Sequence, residues 1–62
     1  LSQAEFYRAR VREAEEQVHS ATLDNVRDRN QRALDAWLKL AERAERTDRD
    51  REIRRIAAEH EG

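Results

Sequence analysis

Apolar residues recur along the first third of the chain at Ala4, Tyr7, Val11, Ala14, Val18 and Ala21, in alternating steps of three and four. That spacing lines up one narrow stripe and predicts an amphipathic helix over residues 3–20. A second series, Leu23, Val26, Asn30, Ala33, Trp37, Leu40 and Ala44, keeps the same steps. Leu34 and Ala41 widen it toward the broad face of a bundle helix. The two series do not join. At about 100° per residue the stripe jumps by roughly 120° between Ala21 and Leu23, so one straight helix would present two unrelated faces. The pattern therefore predicts an all-α fold: an antiparallel helical hairpin, with helix one at 3–20 and helix two starting near residue 23.

Local punctuation agrees with this division. Ser2 and Glu5 stand in the S-x-x-E spacing of a capping box, and Leu1 and Phe6 occupy the two positions of a hydrophobic staple, which assigns Phe6 a local role off the main stripe. At the break, Thr22 is a suitable N-cap, Asp24 puts negative charge in the first turn of helix two, and Ala21 and Val26 flank the cap as a second staple. The chain has no proline, and its single glycine is Gly62. A hairpin turn must therefore be made without the residue that most often ends a helix.

Beyond the second stripe, residues 45–52 read ERTDRDRE, with no apolar side chain, before Ile53, Ile56 and Ala57 resume. Ile53 lies roughly 160° around the helix from Trp37 at about 100° per residue, so this tail does not share the core of the hairpin. Thr47 with Asp50 is able to cap a separate short helix. The alternating charges across residues 42–54 favour helix two running on into the tail instead. The expected organisation is one helical-hairpin domain over 1–62 with a charged tail helix over 47–62 that protrudes.

Composition sharpens the picture. Charged residues make up 44% of the 62, but thirteen basic and fourteen acidic side chains are interleaved at a net charge of −1. The acid precedes the base by four residues in Asp28/Arg32, Asp35/Lys39, Glu42/Arg46, Glu45/Arg49 and Asp50/Arg54, the favourable order on a helix surface. Without cysteine there is neither a disulfide framework nor a thiolate metal cage. No apolar run reaches the length of a membrane span, so no membrane partner and a cytoplasmic location are expected. The chain starts at Leu1, which leaves room for an upstream segment.

The run Phe6-Tyr7-Arg8-Ala9-Arg10, the Ala/Glu-rich helix that follows, Ala21-Thr22 with its charged turn, and Ala36-Trp37-Leu38-Lys39-Leu40-Ala41-Glu42-Arg43-Ala44-Glu45 together resemble a group of small uncharacterised helical proteins common in alphaproteobacteria. The resemblance covers roughly residues 6 to 46 and implies a break at Thr22, where that group carries Thr or Ser followed by Asp-Pro. This chain has Thr22-Leu23-Asp24 and lacks the proline. The resemblance transfers no activity to any residue.

Candidate chemistry is sparse. Glu16 and His19 match the Glu-x-x-His spacing of di-metal bundles, yet both point away from the Val11/Val18 stripe, and His60 lies between Glu59 and Glu61 at the chain end. No metal and no cofactor is expected. Arg49, Arg51, Arg54 and Arg55 form the densest basic cluster, but Asp48, Asp50 and Glu52 interrupt it, and nucleic-acid binding lacks the basic stripe it requires. Ser2, Ser20, Thr22 and Thr47 are accounted for by helix ends, leaving no catalytic set; the chain reads as a non-enzyme.

The expectation is an interaction protein. Its core and interface consist of Tyr7, Val11, Ala14, Val18, Val26, Asn30, Ala33, Leu34, Trp37, Leu40, Ala41 and Ala44, with Asn30 as a polar seam residue that fixes register or oligomer state. Two hairpins pair into a homodimeric four-helix bundle. Alternatively, Ile53, Ile56 and Ala57 dock on a different protein, or the arginine-rich tail binds nucleic acid.

Overall fold

A computed structural model describes residues 1–61, with side chains through residue 60. Gly62 and the Glu61 side chain, both part of the tail reading above, lie outside the described residues. Two helices, α1 (Gln3–Ser20) and α2 (Asp24–Glu61), pack against each other as a hairpin, with no strand among the described residues. At about 1.5 Å per residue, the 38 residues of α2 set the long dimension of a molecule measuring 59 × 17 × 12 Å. The 18 residues of α1 cover only its first half.

The start of α1 follows from its sequence. Ser2 Oγ accepts from the Glu5 backbone N–H at 3.1 Å, and the Glu5 carboxylate accepts from the Ser2 N–H at 3.4 Å. The capping box thus forms. The staple does not, because Leu1 is 95% exposed. Phe6 packs across the hairpin on Trp37 instead, a larger partner than a terminal leucine that nothing else holds in place.

The turn closes without a glycine because no residue in it needs a left-handed backbone. Ala21 leaves α1 in an extended conformation, φ −68° and ψ 128°, and no described residue has positive φ. The carbonyls orphaned at the end of α1 are taken up by side chains of α2. Asn30 Nδ2 donates to the Gln17 carbonyl at 3.2 Å, and the Arg27 guanidinium donates to the Ala21 carbonyl at 3.2 Å while also reaching Asp24. Thr22 is not the N-cap. The first helical bond runs from the Arg27 N–H to the Leu23 carbonyl at 2.9 Å, so α2 begins one residue later than a Thr22 cap would set it, and Leu23 sits exposed at the tip.

The tail continues α2 without interruption. Thr47 caps nothing; its hydroxyl donates back to the Arg43 carbonyl at 3.1 Å within the same helix. None of the five acid-to-base pairs four residues apart forms. Arg10/Glu13, Arg27/Asp24, Arg51/Asp48 and Arg55/Glu52 pair at three residues, and Arg55 also reaches Glu59. Exposed pairs of this kind differ by only a few tenths of a kcal/mol, so side-chain reach rather than pattern selects among them.

The core is small: Val11, Ala14, Leu34 and Ala41 are buried, with Tyr7, Val18, Trp37 and Leu38 packed against them. The α1 stripe is as the spacing predicts. On α2 the centre of the seam is rotated by one position. Leu34 and Ala41, read as the widening residues, hold the middle, whereas Ala33 and Leu40 face outward. Two helices alone cannot enclose an indole. Turning α2 so that small Ala41 meets α1 lets the helices close, and Trp37 moves to the edge, where the rings of α1 cover it.

Candidate interaction surface

The rotation gives the hairpin two unlike edges. On one, Phe6, Tyr7 and Trp37 form an aromatic cluster, with centroids 5.7 Å apart for Phe6/Tyr7, 6.2 Å and nearly edge-on for Phe6/Trp37, and 6.1 Å for Tyr7/Trp37. The Arg10 guanidinium lies over the Trp37 ring at 4.9 Å, a cation–π contact. Gln3 donates to the Tyr7 hydroxyl at 3.1 Å. Leu40, 39% exposed, lies beside this cluster in an open groove that Tyr7, Ala44 and Thr47 also line. Phe6 itself is 45% exposed, so the edge keeps a wet apolar flank.

The other edge is ionic. Arg8 grips Glu45 through both Nε and Nη2, each at 2.7 Å from a carboxylate oxygen. The bidentate geometry strengthens this pair, which ties α1 to α2. The hydrogen bond from Arg8 holds the Glu45 carboxyl below its ordinary value, and the same bond raises Arg8. In the tail, Arg55 lowers Glu52 in the same way and is itself raised.

The sign of the resulting pH dependence is fixed. A carboxyl depressed in the folded state contributes stability above its unfolded value and loses it as pH falls through the folded value. Acid melts should therefore show a drop in melting temperature below the usual carboxylate range. Glu45→Gln should flatten that portion of the profile while leaving the neutral-to-alkaline part level. An unchanged acid limb in the variant would show that the pair does not hold the hairpin.

Each expected site residue has a definite place. Val11, Ala14, Leu34 and Ala41 are buried; Tyr7, Val18, Val26, Asn30, Trp37 and Ala44 are half-buried; Ala33 and Leu40 are exposed. Asn30, read as the polar seam residue, donates to the Gln17 carbonyl. Ile53 and Ile56, 64% and 42% exposed, and Ala57 stand clear of α1. Glu16 and His19 are exposed, and among the described residues no group of three or more His, Cys, Asp or Glu side chains is placed to hold a metal. Two of the four tail arginines, Arg51 and Arg55, are paired with acids of their own helix.

Three residues matter more than the sequence pattern indicated. Phe6 and Arg10 finish the aromatic edge, and Arg27 closes the turn. The signal for Phe6 and Arg10 was their position one step to the same side of the Tyr7 stripe. Arg27 gave no signal beyond its place in the first turn of α2.

Among the described residues, no helix is long and apolar enough to cross a membrane. Comparison of the chain with protein-family models, curated proteins and solved structures finds no match.

Proposed function

We propose that this chain is a non-enzymatic helical interaction protein whose antiparallel hairpin self-associates into a dimeric four-helix bundle. The observation that carries the reading is surface area. The chain exposes 5193 Å², whereas a folded monomer of 7.4 kDa is expected to expose about 4200 Å² from the scaling of surface with mass. The excess of about 1000 Å² is close to the roughly 800 Å² that one partner contributes to a standard interface. The broad apolar face of α2, only half used by α1, is that of a bundle helix with two neighbours.

Sedimentation equilibrium over a wide concentration range tests the reading. A mass of two chains that persists on dilution supports it, and a helical monomer at every concentration overturns it.

A second reading rests on Ile53, Ile56 and Ala57, an amphipathic segment on which a different protein is able to dock. Removing residues 53–62 separates the two. Because residues 53–60 are exposed, hairpin stability should change by less than about 0.5 kcal/mol and the dimer should persist. A truncated chain that becomes monomeric would move the self-association surface to the tail.

A further inference from the structure

Resting on the self-association just proposed, we infer that the occupant of the aromatic edge is a second copy of the chain, with α2 crossing α2 antiparallel about a two-fold axis at Leu40.

A two-fold interface must be complementary to itself, and the outward face of α2 is. Ala33, Ala36, Leu40, Ala44 and Thr47 follow steps of three, four, four and three. At about 100° per residue these five positions fall within an arc of roughly 80°. Read in either direction from Leu40, the order is one large residue, then a small one, then another small one. Reversing one helix onto the other sets Leu40 against its own copy, Ala36 against Ala44, and Ala33 against Thr47. Small residues on either side of the crossing allow the helix axes to approach closely, since interaxial distance depends on the side chains at the contact.

Thr47 is prepared for such a place. Its hydroxyl already donates to the Arg43 carbonyl, so burial would strand no hydrogen bond. Four of the five positions are exposed and Ala44 is half-buried, so the intramolecular packing spares this arc. Phe6, half-exposed beside Trp37, borders the same face from α1.

Charge agrees with this register. Asp50 of one copy comes level with Arg29 and Arg32 of the other, while Arg51 is held by Asp48 of its own helix. On the opposite edge the groove beside Ala4 and Ala9 is crossed by Arg8 and Glu45, which are already paired to each other.

Leu40→Glu and Leu40→Lys, each alone and then mixed in equal amounts, test the axis by sedimentation equilibrium, with circular dichroism confirming that each variant remains helical. Like charges meet at the axis in either variant alone, so both should lose the dimer across the concentration range in which the unaltered chain keeps it. The mixture should regain it as a heterodimer. If Leu40→Glu dimerises as well as the unaltered chain, the edge is wrong although self-association stands. If both variants are monomeric and their mixture also remains so, the axis does not pass through Leu40. If the unaltered chain is itself a monomer throughout, this inference and the functional reading fall together.

Discussion

Trp37→Ala should unfold most of the helix at room temperature, read as a collapse of far-ultraviolet ellipticity together with the loss of a cooperative melt. Truncating a core tryptophan to alanine costs about 3–5 kcal/mol, and the half-buried state of Trp37 places its cost near the lower end. A chain of 62 residues has a total stability on the order of 3–9 kcal/mol. The loss is amplified because Trp37 is shared: Phe6, Tyr7 and Arg10 all rest on its ring, so its removal leaves three α1 side chains without a surface to cover. Trp37→Phe retains a ring at the site and should keep most of the ellipticity. If the alanine variant melts like the unaltered chain, the aromatic edge is ornament on a hairpin stabilised elsewhere.

The second large effect is expected from adding volume. Ala41 is wholly enclosed at 0% exposure, at the place where α2 meets α1. Ala41→Leu inserts three carbons into a layer that has no room for them, at a cost of about 1–3 kcal/mol. In a domain this small, that lowers the melting temperature by roughly 4–8 °C per kcal/mol. Ala33→Leu, the same change on the outward face, should leave intramolecular folding nearly untouched and act on association instead. The contrast decides the register. Equal destabilisation by both variants at low concentration would mean that the seam runs where the simple three-and-four spacing put it, through Ala33 and Leu40.

That pair of alanines shows how far the fold was legible in the sequence. The helices, their limits within a residue or so, the capping box and the break near Thr22 could all be read, because each depends on residues close together in the chain. The rotation of α2 could not. A broad apolar face admits two seams one position apart, and the choice between them is made by α1, which presents Val11 and Ala14 and so accepts the smaller residue opposite. Phe6 was misassigned for the same reason. Its sequence neighbours supplied a plausible local partner in Leu1, whereas its real partner is Trp37, thirty-one residues away. The turn was placed but its chemistry was not, since Asn30 and Arg27 do their work on carbonyls that only the folded hairpin brings near. The outward face of α2 was in view all along, but as part of a core.

The offset between the two stripes has a consequence for the state of the chain at high concentration. Val11 and Ala14 point nearly opposite to Leu34 and Ala41 when the sequence is drawn as one helix, by roughly 160° at about 100° per residue. Were Ala21 to Leu23 to adopt helical torsions, the resulting rod would carry one sticky strip facing up along its first third and another facing down along its middle. No single neighbour satisfies both, so such rods add head to tail without closing, and the product is a filament rather than a particle of fixed size. Against that outcome stand the core of Val11, Ala14, Leu34 and Ala41 and, across the turn, the bonds from Asn30 to Gln17 and from Arg27 to Ala21.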